Sequence, residues 1–168
     1  LNDQSLKVKS QGVRMVSEMV QAFDADYYRA LQALLPSIFA SLQQLATEKQ
    51  ETELLECLES LVDAVGLEAM FFKPHITSIV PLFVQLIRAK EHLAPGVRHM
   101  ALEFVVSYAQ EKPQPLLKAV PKFPQLMFDC CMDLMLSVND DLQEGLENPA
   151  AHILTRRTNT NRTTNHFT

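Results

Sequence analysis

An all-α fold, built as a stack of antiparallel helix pairs, is what this sequence predicts, and three observations carry the prediction. First, 47% of the 168 residues are hydrophobic, with no Trp and only 4 Gly; Leu, Ala and Met are plentiful, and such residues favour helix over sheet. Second, apolar positions recur at i, i+3, i+4 and i+7 along most of the chain, the spacing of one buried helix face. Third, the pattern itself repeats at a distance long enough for two helices and a turn.

The first helix spans about 5–23, with Val8, Val13, Val16, Met19, Val20 and Phe23 falling largely on one face. Asp24 or Asp26 of "DADYY" is placed to cap the next helix. That second helix, about 27–47, carries Leu31, Leu34, Leu35, Ile38, Phe39, Leu42 and Leu45. Pro36 removes a hydrogen bond and crowds the preceding turn, which predicts a kink or break near 35. The third helix, 51–65, uses Leu54, Leu55, Leu58, Leu61, Val62 and Val65, with Gly66 as its expected stop.

After the short apolar piece "MFFKP", with Pro74 suited to a first helical turn, the fourth helix (75–90) buries Ile76, Ile79, Val80, Phe83, Leu86 and Ile87. The fifth, 95–111, turns Val97, Met100, Ala101, Phe104, Val105 and Tyr108 inward, and Pro113 and Pro115 end it. The sixth, 119–138, uses Phe123, Leu126, Met127, Cys130, Leu134 and Met135. Beyond "SVNDD" the period fades into polar, β-branched sequence, so the expected organisation is a solenoid over 1–145 and a disordered polar tail over 146–168.

The six helices fall into two alternating series. In one, Leu35, Ile38 and Leu42 align with Ile76, Ile79 and Phe83, and then with Phe123, Leu126 and Cys130, in steps of 41 and 47 residues. In the other, Val13, Val16 and Val20 align with Leu54, Leu58 and Leu61 or Val62, and then with Val97, Met100 or Ala101, and Phe104 or Val105. The phrase "GVR" recurs at 12–14 and 96–98, with Val facing the core and Arg reaching acidic groups on a neighbouring turn; Glu56 takes the place of Arg in the middle copy. A two-helix unit with this period belongs to the HEAT and armadillo class: one pair cannot enclose its own apolar face, so pairs stack into a continuous core. About three such pairs fit the chain.

A net charge of −5 and a pI near 5.5 exclude general affinity for nucleic-acid backbone, which rests on clustered Lys and Arg, and favour basic partners. No uninterrupted apolar run reaches the ~18–20 residues of a membrane span, and no secretory leader opens the chain. A soluble intracellular protein is expected. Because the chain starts with Leu inside a helical pattern, a piece of something longer is expected too. Cys57, Cys130 and Cys131 sit within apolar helical patterns without C-x-x-C spacing and read as small buried hydrophobes.

Residues 54–110 are specific enough to compare with a family. "LLECLESLVDAVGLEAMFFKPHITSIVPLFVQLI", containing "FFKPH" at 71–75, and "RHMALEFVVSYAQ" at 98–110 resemble the importin-beta superfamily, and most closely its importin-five branch, also called karyopherin beta-three. "FPQLMFDCCMDLMLSVNDD" at 123–141 resembles the helix preceding an acidic linker in those receptors, although "NDDLQEGLENP" departs from the family's acidic segment. The resemblance covers about 50–145 well and 1–49 at the level of the HEAT pattern. It implies a nuclear import receptor: a solenoid that binds cargo on its concave face, contacts Phe-Gly nucleoporins through outer helices, releases cargo to RanGTP, and moves between cytoplasm and nucleus through the nuclear pore. It implies no cofactor and no enzymatic step. A HEAT scaffold outside nuclear transport is the alternative.

In a HEAT stack the second helix of each pair lines the concave side, so candidate contacts for a basic import signal are Glu56, Glu59, Asp63 and Glu103, with Glu53 and Ser107 beside them. Phe39, Phe71, Phe72 and Phe83 stand in or beside outer helices, where slots for a nucleoporin Phe would lie, but their spacing suits core. His75 follows Pro74 at a helix start, in a capping or packing role, and His92 and His99 share no ligand spacing with it. The sequence offers no Gly-rich phosphate loop, nucleophile elbow or paired catalytic carboxylates. "NRT" at 161–163 is a formal glycosylation sequon, expected to be unused in an intracellular chain.

Overall fold

The computed structural model describes the backbone of residues 5–22 and 27–147 and the side chains of 5–22 and 27–136. In order these form α1 (Leu6–Ala22), α2 (Tyr28–Gln32), α3 (Leu35–Thr47), α4 (Glu51–Glu68), a 3-10 segment (Ala69–His75), α5 (Ile76–Arg88), α6 (Pro95–Glu111), α7 (Pro113–Ala119) and α8 (Phe123–Glu147). The described residues divide into two units, one up to Cys130 and one from Cys131 on. The expected caps Asp24 and Asp26, the residue Phe23, and the expected disordered tail from 148 onward lie outside the described residues.

Within the first unit α1, α4 and α6 pack side by side, α1 on α4 and α4 on α6. A second row, α3 on α5, covers them: α3 touches α1 and α4, and α5 touches α6. Between the rows Val13, Leu35, Ile38, Leu42, Leu54, Leu58, Ile79, Phe83, Ala101 and Phe104 are buried. Neither row could hide its apolar stripe alone, and stacking joins the stripes into one core, as in a HEAT-type all-α solenoid.

Burial exposes the register. The alternation of buried and exposed side chains over 13–20 recurs unchanged over 54–61, 41 residues on, and that of 57–66 recurs over 97–106, 40 residues on. Val13 therefore matches Leu54 as the letters suggest, but Val97 matches Cys57, not Leu54. The two "GVR" phrases are alike in sequence and out of register in space. Arg14 is half-exposed, whereas Arg98 is buried and its Nε donates to the Ile87 carbonyl at 2.8 Å.

Four local differences from the sequence reading have physical reasons. Gly66 does not stop α4, which continues to Glu68; its φ is not positive, and helical geometry is open to it. "AMFFKPH" is a 3-10 segment that holds Pro74 just ahead of α5. Pro113 and Pro115 do end α6, yet they also open α7, since proline fits a first helical turn where its missing N–H has no partner to lose. Finally, α8 starts at Phe123 and extends past 138 to Glu147. The break near Pro36 is present: α2 ends at Gln32 and α3 begins at Leu35 with the proline in its first turn.

One stretch, Glu51–Arg88, is long and apolar enough by length and composition to cross a membrane. In the fold it is three elements, and Phe71, Phe72, Ile76, Ile79 and Phe83 within it belong to the core.

Candidate protein-binding surfaces

On α4 the core claims Leu54, Cys57, Leu58, Leu61, Ala64 and Val65. Helical geometry then sends Glu56, Glu59 and Asp63, at i, i+3 and i+7, to the opposite side, and all three are exposed. The 40-residue register gives Asp63 and Glu103, and likewise Glu59 and His99, equivalent places on α4 and α6, and all four are exposed. The His99 imidazole lies 3.8 Å from the Glu103 carboxylate one turn on. Glu53 and Ser107 are half-buried.

Glu56 is already engaged: Arg14 Nη1 on α1 donates to its Oε2 at 2.9 Å, with both side chains open to water (37% and 46%). The sequence reading of an Arg reaching an acidic neighbour holds for Arg14. A second carboxylate, Glu51 in the first turn of α4, accepts the Ala94 backbone N–H at 3.0 Å and so caps α6 from a neighbouring helix. This cross-helix cap has no local sequence signal.

Phe39, Phe71, Phe72 and Phe83 are all core. Edge-to-face contacts run from Tyr28 to Phe71, Phe71 to Phe72 and Phe72 to Phe104 at centroid distances of 5.7, 5.0 and 5.3 Å, and Phe83 stacks on Phe104 at 4.1 Å. A slot nevertheless exists between α3 and α5. One part, of about 380 Å³, is lined by Phe39, Ala40, Gln43, Pro81, Leu82 and Gln85; the next, of about 450 Å³, shares Gln43, Leu82 and Gln85 and adds Ala46, Leu86 and Leu93. Small Ala40 and Ala46 open this groove, a signal that attention to the aromatic residues alone passes over.

His75 stands at the N-cap of α5, half-buried, and makes no side-chain capping bond. Among the described residues no three His, Cys, Asp or Glu side chains are grouped to hold a metal ion. Cys57 and Cys130 are buried and Cys131 is half-buried. The Cys57 thiol, 3.7 Å from the Ser10 carbonyl, is pushed up to about 12 chiefly by burial; Arg14 acts in the opposite sense, and Glu56 and Glu53 add to the rise. A thiol so held is a poor nucleophile near neutral pH.

Comparison with known proteins gives two likenesses. A family described as IPO5-like, TPR repeats, matches residues 1–82. Importin subunit beta-3 of Saccharomyces cerevisiae is 26% identical over 148 residues, which is 86% of this chain and 13% of that protein; the chain thus spans about an eighth of the relative's length. No solved structure matches. Steps of 40 and 41 residues are longer than the ~34 of a TPR unit and suit HEAT spacing.

Proposed function

We propose that this chain, similar over residues 1–82 to the IPO5-like family and 26% identical to importin subunit beta-3, is a stretch of HEAT solenoid of the importin-beta superfamily and serves a nuclear import receptor as a cargo-binding segment. The exposed carboxylates Glu56, Glu59, Asp63 and Glu103 receive the Lys and Arg side chains of an import signal. What supports this reading most is that all four carboxylates are exposed and that Asp63 and Glu103 hold equivalent places on α4 and α6. Exposed carboxylates repeated from helix to helix attract the cationic side chains of an extended basic segment. Arg14 on Glu56 is an internal example of the contact that a cargo arginine would make.

In this reading the groove between α3 and α5 accepts a Phe side chain of a Phe-Gly nucleoporin, its apolar floor taking the ring and Gln43 and Gln85 the peptide. RanGTP releases the cargo, and the protein works in cytoplasm and nucleus and at the nuclear pore. No bond is made or broken, so no cofactor is needed. The test is capture of a basic import-signal peptide with and without RanGTP, at two salt concentrations. Capture that RanGTP abolishes and salt weakens is the expected result. Capture indifferent to RanGTP would place the chain among HEAT scaffolds outside nuclear transport.

A further inference from the structure

The connectors α2, the 3-10 segment and α7 occupy the same place in successive repeats, each leading from α1, α4 or α6 into the helix that follows. The joint between the first two is closed. Gln32 Nε2 donates to the Phe71 carbonyl at 3.0 Å, and the Tyr28 ring meets Phe71 edge to face. The next joint is open: a cleft of about 540 Å³ separates the 3-10 segment and the start of α5 from α7, lined by Lys73, Ile76, Gln114, Pro115, Lys118 and Ala119. Stacking of repeats does not by itself leave such a cleft, since the preceding joint has its space filled by side chains.

Charge selects the occupant. The chain carries 20 Asp and Glu against 15 Lys and Arg, yet residues 69–90 and 112–128, which supply both walls of the cleft, contain no Asp or Glu. Lys73 and Lys118 are exposed, one on each wall, and among the described residues neither is paired with a carboxylate. Two unpaired ammonium groups at a concave site, with no acid nearby to oppose them, attract anions. Between them the surface is apolar, made by buried Ile76 and half-buried Pro115 and Ala119. Lysine is a point charge on a flexible stem without the planar fork of arginine, so a pair of lysines suits carboxylates spaced along a peptide. We propose that this cleft receives an acidic segment of a partner protein, with one apolar side chain on Ile76, Pro115 and Ala119 and the Asp or Glu side chains flanking it on Lys73 and Lys118. Its charge is opposite to that of the signal proposed for α4, so the two surfaces take different ligands.

The experiment measures binding of a labelled peptide alternating Asp and Leu to the full chain, by fluorescence anisotropy, alongside an Asp/Ser peptide of the same pattern. The chain carries either its own sequence, K73Q/K118Q, or K7Q/R29Q, which removes the same charge from exposed positions that do not line the cleft. All four substitutions are at exposed side chains, and unchanged circular dichroism verifies the fold. Saturable binding of the Asp/Leu peptide is expected, weakened about tenfold or more by K73Q/K118Q, weakened by salt, and unaffected by K7Q/R29Q. The Asp/Ser peptide, which has nothing to set on the apolar surface, should bind severalfold more weakly. Absence of saturable binding, equal binding by the K73Q/K118Q chain, an equal loss through K7Q/R29Q, or equal binding of the Asp/Ser peptide would each overturn the inference. So would displacement of the Asp/Leu peptide by inorganic phosphate but not by sodium chloride of the same ionic strength, which would give the cleft to a phosphoryl group instead.

Discussion

Arg14 is the residue through which stability and binding separate. Its ion pair with Glu56 is open to water, where screening and side-chain entropy leave such pairs worth about 0–1 kcal/mol. Arg14→Ala is therefore expected to change the melting temperature little. The same substitution frees Glu56, so affinity for a basic import-signal peptide should rise severalfold in a titration; an unchanged affinity would mean that Glu56 takes no part in binding. Cys57 supplies a pH prediction. Its folded thiol titrates near 12 against a usual 9.0, and burial raises the Tyr108 hydroxyl from its usual 10.0 as well. Above pH ~9 the unfolded chain sheds these protons while the folded chain keeps them, so unfolding gains. The melting temperature should be flat from pH 7 to about 8.5 and fall between about 9 and 12, and Cys57→Ala should make that fall shallower.

At the level of elements, Gly66 is an unexploited position in α4. It lies in helical conformation, and a Cβ added there meets nothing within 4 Å. Gly66→Ala should stabilise the chain by about 0.4–1 kcal/mol, mainly by restricting the unfolded state, readable as a shift in the denaturation midpoint. The error of taking Gly66 as a stop has the same origin: glycine permits a left-handed terminator without requiring one, and the 3-10 segment after Glu68 ends the helix instead. The 41-residue steps of both series were legible because each depends only on the spacing of apolar residues. The three-residue slip of the second "GVR" was not, because Val and Arg are compatible with either a rim or a core position, and only packing shows that Arg98 is inside. For the candidate site, the exposure of Glu56, Glu59, Asp63 and Glu103 followed from helical period, whereas the Arg14 to Glu56 bond and the Glu51 cap on Ala94 join residues 42 and 43 apart and needed the fold.

Across the whole first unit, the aromatic chain from Tyr28 to Phe83 links the two rows through Phe104, which touches both Phe72 and Phe83. Phe104→Ala removes a fully buried ring from this junction, a change that costs about 3–5 kcal/mol in well-packed cores. Total stabilities of such domains are about 5–15 kcal/mol, so the variant should lose much of its cooperative thermal transition, as calorimetry would record. Nearest-neighbour stacking also governs how the unit yields under load, and here the Arg14 to Glu56 pair has a mechanical meaning. It ties α1 to α4 on the solvent side, whereas the place on α6 equivalent to Asp63 of α4 is again an exposed carboxylate, Glu103. Ions that screen the pair loosen that tie, so salt acts on the contact between α1 and α4 through two side chains 42 residues apart in the sequence.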